Sequence, residues 1–225
     1  MTATYLITGA ARGLGIELVR QLRARGDTVI AAVRSKASLG DLAATKAELI
    51  ELDVSNAVSI ESAAAALRGR PIDVLINNAG VSGDDKTVPT ITFTEYQRVF
   101  ATNVFGAAVL TRTLLPNLTA GKGRKVVNIS SELGSISSTG PGFSYAYCTS
   151  KAALNMLSSL MAKELAQAGV IVVPVSPGWN RTDMGGPAAP LDPKDTMAQL
   201  IAVIDRLKPS DSGHFLNYDG KSLPW

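Results

Sequence analysis

Tyr147 and Lys151 stand four residues apart, the spacing that places two side chains on one face of a helix. A free phenol titrates near pH 10, too high for easy proton traffic at neutral pH, and a neighbouring ammonium favours the phenolate. Each unit of lowering corresponds to about 1.4 kcal/mol. An isolated pair of this kind is more often a structural tyrosine and a surface lysine. Tyr145 is the decoy, because Thr149 and not a lysine stands four residues on. The second group with chemical use is Thr8-Gly9-Ala10-Ala11-Arg12-Gly13-Leu14-Gly15. Its glycines permit a tight turn that brings backbone N–H groups against a phosphate at a helix N-terminus. Alone, such a triplet is an ordinary turn; a strand before it and an amphipathic helix after it make a nucleotide site the better reading.

The elements that must hold these groups are legible as short β-branched runs alternating with longer amphipathic stretches. Strands are predicted at Tyr5–Thr8, Thr28–Val33, Glu48–Leu52, Ile72–Ile76, Lys125–Ile129, Val170–Val175 and His214–Asn217. Helices are predicted at Gly13 to about Arg25, a short one near Leu39–Thr45, and the Ala-rich stretch after Asn56. Others run from about Thr94 to Leu118 with Pro116 ending or bending it, from Tyr147 to Ala168 closed by Gly169, and from about Asp195 to Leu207. Helix-sized connections imply a mainly parallel sheet of about seven strands, with helices on both faces. The fold class is α/β: a single-domain, Rossmann-type, doubly wound sheet whose ligands sit at the carboxyl ends of the strands. The breaker-rich segment at about 178–194 reads as a loop over the substrate.

The composition is that of an ordinary globular chain: 225 residues, 46% hydrophobic, 18% charged and a net charge of +3. No dense basic stripe favours nucleic acid. No segment has the apolar length of a membrane span, and the first residues lack the pattern of a secretory signal. Cys148 is the single cysteine, which suits a reducing, cytoplasmic setting. His, Cys and acidic residues do not cluster at metal-ligand spacing, so no metal site is expected. His214 reads as structural.

Taken in order, these motifs resemble the classical short-chain dehydrogenase/reductase family, whose fingerprint begins Thr-Gly-x-x-x-Gly-x-Gly. The match continues through Asp53, Asn77-Asn78-Ala79-Gly80, Asn103, Ser131, Tyr147-x-x-x-Lys151 and Pro177-Gly178. The nearest likeness is to the subgroup of bacterial C-factor proteins and insect sniffer-type carbonyl reductases. It rests on Tyr145 to Lys151, on Pro177-Gly178-Trp179 with Thr182 to Gly186, and on the tail Asn217 to Gly220 with Pro224-Trp225.

The resemblance implies hydride exchange between a nicotinamide cofactor and a small carbonyl compound (ketone, aldehyde or quinone-like) or its alcohol. Tyr147 would then be the proton donor or acceptor, and Lys151 would hold the nicotinamide ribose. Ser131, chosen over Ser130 by the pattern Ser-x-x-Gly that Gly134 completes, would polarise the substrate oxygen. Asn103 would bend the long helix and anchor a relay water. Cofactor contacts would come from Gly9, Arg12, Gly13, Leu14, Gly15, Asp53, Val54, Asn78, Ala79, Gly80, Tyr147, Lys151, Pro177, Gly178 and Thr182. Asp53 would meet the adenine, although capping the helix after Asn56 is its simpler role. Leu133, Phe143, Trp179 and Met184 either line an apolar pocket or belong to the core.

NAD-specific sheets of this kind place an acid at the end of the second strand; here that position is Val33, followed by Arg34. A guanidinium there can hold a 2′-phosphate with charge-assisted hydrogen bonds. With Arg12 at the family's other basic position, the expected cofactor is NADP(H), unless both arginines are merely solvated charges. A catalytically weak NADP(H)-binding sensor or signalling protein is the rival reading, distinguished by binding without turnover. An extended-family epimerase or dehydratase needs a longer chain and another glycine spacing. The resemblance further implies a homodimer or homotetramer formed through the long helices, with no nucleic-acid or membrane partner.

Overall fold

Strands whose residues are apolar on both sides need cover on both faces of the sheet. The computed structural model describes every residue except Met1, Lys36, Ser38 and Thr139, and none of the candidate site residues is among those left out. Among the described residues, seven strands form one sheet: β1 (Thr4–Thr8), β2 (Thr28–Val33), β3 (Glu48–Glu51), β4 (Val74–Asn77), β5 (Lys125–Ile129), β6 (Ile171–Ser176) and β7 (Leu216–Asn217). Their order is β3-β2-β1-β4-β5-β6-β7, with every pairing parallel. The helices are α1 (Gly13–Ala24), α2 (Ala57–Ala66), α3 (Phe93–Phe100), α4 (Gly106–Thr113), α5 (Leu115–Ala120), α6 (Tyr145–Leu165) and α7 (Pro193–Arg206).

Successive strand residues point to opposite faces, and the two cores divide accordingly. Ile7, Ala31, Val127 and Val173 pack with Leu18 and Leu22 of α1 and with Leu200 and Ile204 of α7. Leu6, Ile30, Val126 and Val172 pack on the other face with Ile60 of α2, Leu110 of α4 and Ala162 of α6. The chain is therefore doubly wound, as the alternation predicts.

The main departure from the sequence reading is the helix expected over about Thr94 to Leu118. It is three helices, α3, α4 and α5, with a π-helical turn at Ala101–Phe105 joining the first two. The interruption expected at Pro116 falls just ahead of it: α4 ends at Thr113, and Pro116 lies in the first turn of α5, where the proline's missing N–H leaves no bond unmade. The short element near Leu39 is a 3-10 helix, Gly40–Thr45. The last strand shrinks to Leu216–Asn217, and Ile72 and Asp73 fall outside β4. Asp73 instead accepts backbone N–H groups from Thr4 and Lys122 at 2.8 and 2.7 Å. α6 starts two residues earlier than predicted, at Tyr145, because Ser144 caps it by accepting from the Tyr147 N–H.

The order of strands reverses between β1 and β4, and the crevice of a doubly wound sheet opens at that point. The glycine turn follows β1 and Asn78-Ala79-Gly80 follows β4, so the two flank one crevice. No helix among the described residues is long and apolar enough to cross a membrane.

Candidate active site

The glycine turn is built for an anion. Arg12 occupies the N-cap position of α1 without a side-chain cap, so first-turn N–H groups are left for a ligand. Gly13 has φ +55°, and a methyl group there would meet only the Thr182 side chain, at 3.6 Å. Gly15 serves packing: a methyl group would lie 2.2 Å from the Gly9 carbonyl oxygen. Thr8 latches the other side of the crevice, its Oγ1 accepting from the Asn78 and Ala79 N–H groups, both at 3.0 Å. Asn78 Nδ2 donates back to the Thr8 carbonyl at 2.9 Å. The residues present thus fit a dinucleotide pyrophosphate.

The reacting groups converge beside this cradle. Ser131 stands beside the Tyr147 phenol and favours its charged form, and Lys151 Nζ lies 5.6 Å from the phenol ring centroid. Lys151 is 4% exposed and donates to the Ile129 carbonyl at 2.7 Å. A methyl group on Gly80 would stand 3.7 Å from Lys151 Nζ and 3.5 Å from Asn103 Oδ1. Burial governs the protonation of both groups. It pushes the Tyr147 phenol up to about 12, against the lowering effect of the neighbouring Ser131 hydroxyl. It pulls the Lys151 ammonium down to about 8. The lowering expected from Lys151 is not what governs the chain by itself: the phenol is raised, and the first cause is the cost of taking its charged form out of water.

The choice between the two serines is decided by where they point. Ser130 spends its hydroxyl in the core, donating to Asn155 Oδ1 at 2.6 Å. Ser131 faces Tyr147, and its Oγ also accepts from the Leu133 N–H at 3.2 Å. Gly134 makes this approach feasible, since a methyl group there would come within 2.7 Å of the Lys151 backbone carbon. Asn103 sits inside the π-turn, which is the bend expected of it. Its Oδ1 accepts from the Val81 N–H at 2.9 Å, and its Nδ2 donates to the Val81 carbonyl and to Ser150 Oγ, both at 3.0 Å.

Elsewhere the sequence reading needs adjustment. Asp53 does not cap α2; Asn56 does, accepting from the Ser59 N–H at 3.1 Å. Asp53 closes a turn instead, accepting from the Ser55 N–H at 2.9 Å. Val54 is buried beneath Gly106 of α4. Phe143, Trp179 and Met184 are exposed, which removes them from the core and leaves them at the surface of the loops after β5 and β6. Arg34 is exposed just past β2. Arg12 pairs loosely with Asp183 at 3.5 Å, and this pair, with Gly13 against Thr182, docks the 178–194 loop on the glycine turn. Pro177 and Gly178 leave β6 at that loop's root, beside the Asn180 side chain, which accepts from Thr196 Oγ1 at 2.5 Å. Sequence reasoning missed Asp85, Ser144 and Asp183. Ser144 carries an N-cap signature, a serine directly before a helical run; Asp85 carries no local signal, because its partners lie about sixty residues away.

This parallel sheet, with a glycine cradle at its switch point and a Tyr-Ser-Lys cluster beside it, defines a nicotinamide-dependent oxidoreductase. The chain belongs to the short chain dehydrogenase family, which it matches over residues 3–191. It is 42% identical to C-signal of Myxococcus xanthus over 155 residues, covering 69% of this chain and 93% of that protein. Among solved structures it is similar to the NADPH-bound carbonyl reductase from chicken fatty liver, with a TM-score of 0.92, 31% identity and coverage of 100% and 99% of the two chains. Carbonyl reductase Sniffer of D. melanogaster gives the same TM-score, 0.92, at 30% identity over the whole of both chains.

Proposed function

We infer that this chain is an NADP(H)-dependent reductase of small carbonyl compounds (ketones, aldehydes or quinone-like molecules), running in reverse on the alcohols. The observation that carries the reading is the Tyr147 phenol, beside Ser131 and flanked by Lys151, at the edge of the glycine-lined crevice. Bound NADP(H) supplies the hydride exchange with the carbonyl carbon. Gly9, Gly13, Leu14 and Gly15 hold the pyrophosphate, Asn78 to Gly80 and Lys151 the nicotinamide ribose, and Pro177, Gly178 and Thr182 the nicotinamide end. Asp53 and Val54 line the adenine side.

Tyr147 gives its proton to the carbonyl oxygen in reduction and takes it back in oxidation. Ser131 donates a hydrogen bond to that same oxygen as charge builds on it. A phenol held up at about 12 is fully protonated at neutral pH, the form that reduction needs. Asn103 holds the Val81 backbone against α6 and so the rear of the proton path. For the adenosine 2′-phosphate, Arg12 and Arg34 supply guanidinium groups at the turn and at the end of β2, and no acid stands between Thr28 and Arg34. The NADPH held by the chicken carbonyl reductase supports the same choice. Assembly into a homodimer or homotetramer through α4 and α6 belongs to this reading, supported by exposed Phe105, Met156 and Leu160.

The test is to follow NADPH absorbance with a panel of aldehydes, ketones, quinones and diketones. Turnover that is lost in Tyr147→Phe is the expected result. Tight NADPH binding with no turnover across the panel would instead favour the signalling reading, to which the similarity with C-signal lends weight.

A further inference from the structure

Asp85 lies outside every family motif, yet its carboxylate is only 2% exposed. A carboxylate is kept out of water only where donors satisfy it, and those of Asp85 all come from the start of α6. Oδ1 accepts from Ser144 Oγ at 2.6 Å, Oδ2 from the Ala146 N–H at 2.9 Å, and the Asp85 carbonyl from the Tyr145 N–H at 2.9 Å. Ser144 Oγ in turn accepts from the Tyr147 N–H at 3.0 Å. The N–H groups of Tyr145, Ala146 and Tyr147 are therefore all held by Asp85 and the serine it grips. A negative charge there also suits the positive end of the helix.

The loop that carries Asp85 is fixed on its other side. Val81 is bonded at both backbone groups to Asn103, the Ser82 carbonyl accepts from Arg98 at 2.7 Å, and the Asp84 N–H donates to Glu95 at 3.0 Å. Gly83 fits only without a side chain: a methyl group would lie 2.3 Å from Ser144 Oγ and 2.9 Å from Asp85 Oδ1. This loop continues directly from Asn78-Ala79-Gly80, the crevice edge opposite the glycine turn.

We propose that Asp85 is a positioning residue for Tyr147, clamping the first turn of α6 to the segment that forms the crevice edge. Tyr147 sits in a helix's first turn, where backbone bonds are fewest; with the clamp closed, the phenol and the dinucleotide keep one spacing. The proposal rests on Tyr147 being the proton donor.

The experiment compares full-length Asp85→Asn, Gly83→Ala, Ser144→Ala and Ser144→Thr with the parent protein. The readouts are kcat, NADPH affinity by fluorescence, and hydrogen exchange at the amides of residues 145–147. In Asp85→Asn an amide replaces one acceptor with a donor. The expected result is a kcat about tenfold to a hundredfold lower, with NADPH affinity within about threefold of the parent and faster exchange confined to 145–147. Gly83→Ala and Ser144→Ala should follow it, while Ser144→Thr, which keeps the hydroxyl, should restore the parent values. Faster exchange with unchanged kcat would overturn the proposal, as would kcat and NADPH affinity falling together. Should Asp85→Asn fail to fold, the contrast between the two Ser144 variants decides. A parent protein inactive on every carbonyl counts against the reductase reading alone; the clamp is then judged by exchange, and unaltered exchange in Asp85→Asn overturns it.

Discussion

At the scale of single residues, burial sets the working chemistry. Tyr147→Phe removes the transferable proton and is expected to lower kcat by roughly a hundredfold or more, measured at saturating NADPH with an active carbonyl. Arg34→Asp should weaken NADPH use more than NADH use, because a carboxylate repels a 2′-phosphate; an unchanged ratio of the two kcat/KM values counts against it. Lys151 makes a less obvious prediction. Its ammonium is buried and held near 8, below the unfolded value of 10.5. Between those limits the unfolded chain binds more protons than the native one, so this residue makes stability rise with pH across that window. Below it, both states are charged and the native state bears the full cost of burial. Lys151→Met should therefore be inactive yet more stable at pH 7 by about 1–2 kcal/mol, with the gain shrinking as pH approaches 10.5. Urea unfolding at pH 7 and pH 10 checks the sign. Tyr147, held up at about 12, acts oppositely and only above pH 10.

At the scale of elements, the site depends on two loops pressed against one helix. The Ser131 turn rests on α6 because Gly134 has no side chain to hold it off. Gly134→Ala should push Ser131 away from Tyr147, costing about 1–3 kcal/mol of stability through overpacking and lowering kcat/KM by more than NADPH affinity. Equilibrium denaturation and steady-state kinetics measure the two effects; a fully active variant would show that the loop can yield. The elements themselves were largely legible, since period and glycine position located the strands and most helices. The π-turn at Ala101–Phe105 was legible only through the family resemblance of Asn103, which implied a bend, and not from the residue pattern. Nothing in the apolar spacing of residues 94–118 distinguishes one long helix from three, and the interruption is held by Asn103 bonding to Val81 and Ser150, residues remote in sequence.

At the scale of the molecule, both cores pack on the same sheet, and β1 and β2 contribute side chains to each. Neither core can open without the strands that serve the other. Unfolding by urea is thus expected to be one transition, with far-UV circular dichroism and tryptophan fluorescence superimposing. Two separated midpoints would mean that the halves fold independently.

The sequence by itself determined the winding of the sheet, the glycine cradle, the Tyr147–Lys151 face and the family, because each is written in local spacing and chain order. Only the tertiary structure decided that the Ser130 hydroxyl is spent in the core on Asn155. It alone showed burial raising the Tyr147 phenol, and Asp85 gripping the start of α6. These are long-range facts. They depend on which groups the packed sheet brings together and how much water it leaves beside them, and neither is encoded in the neighbours along the chain.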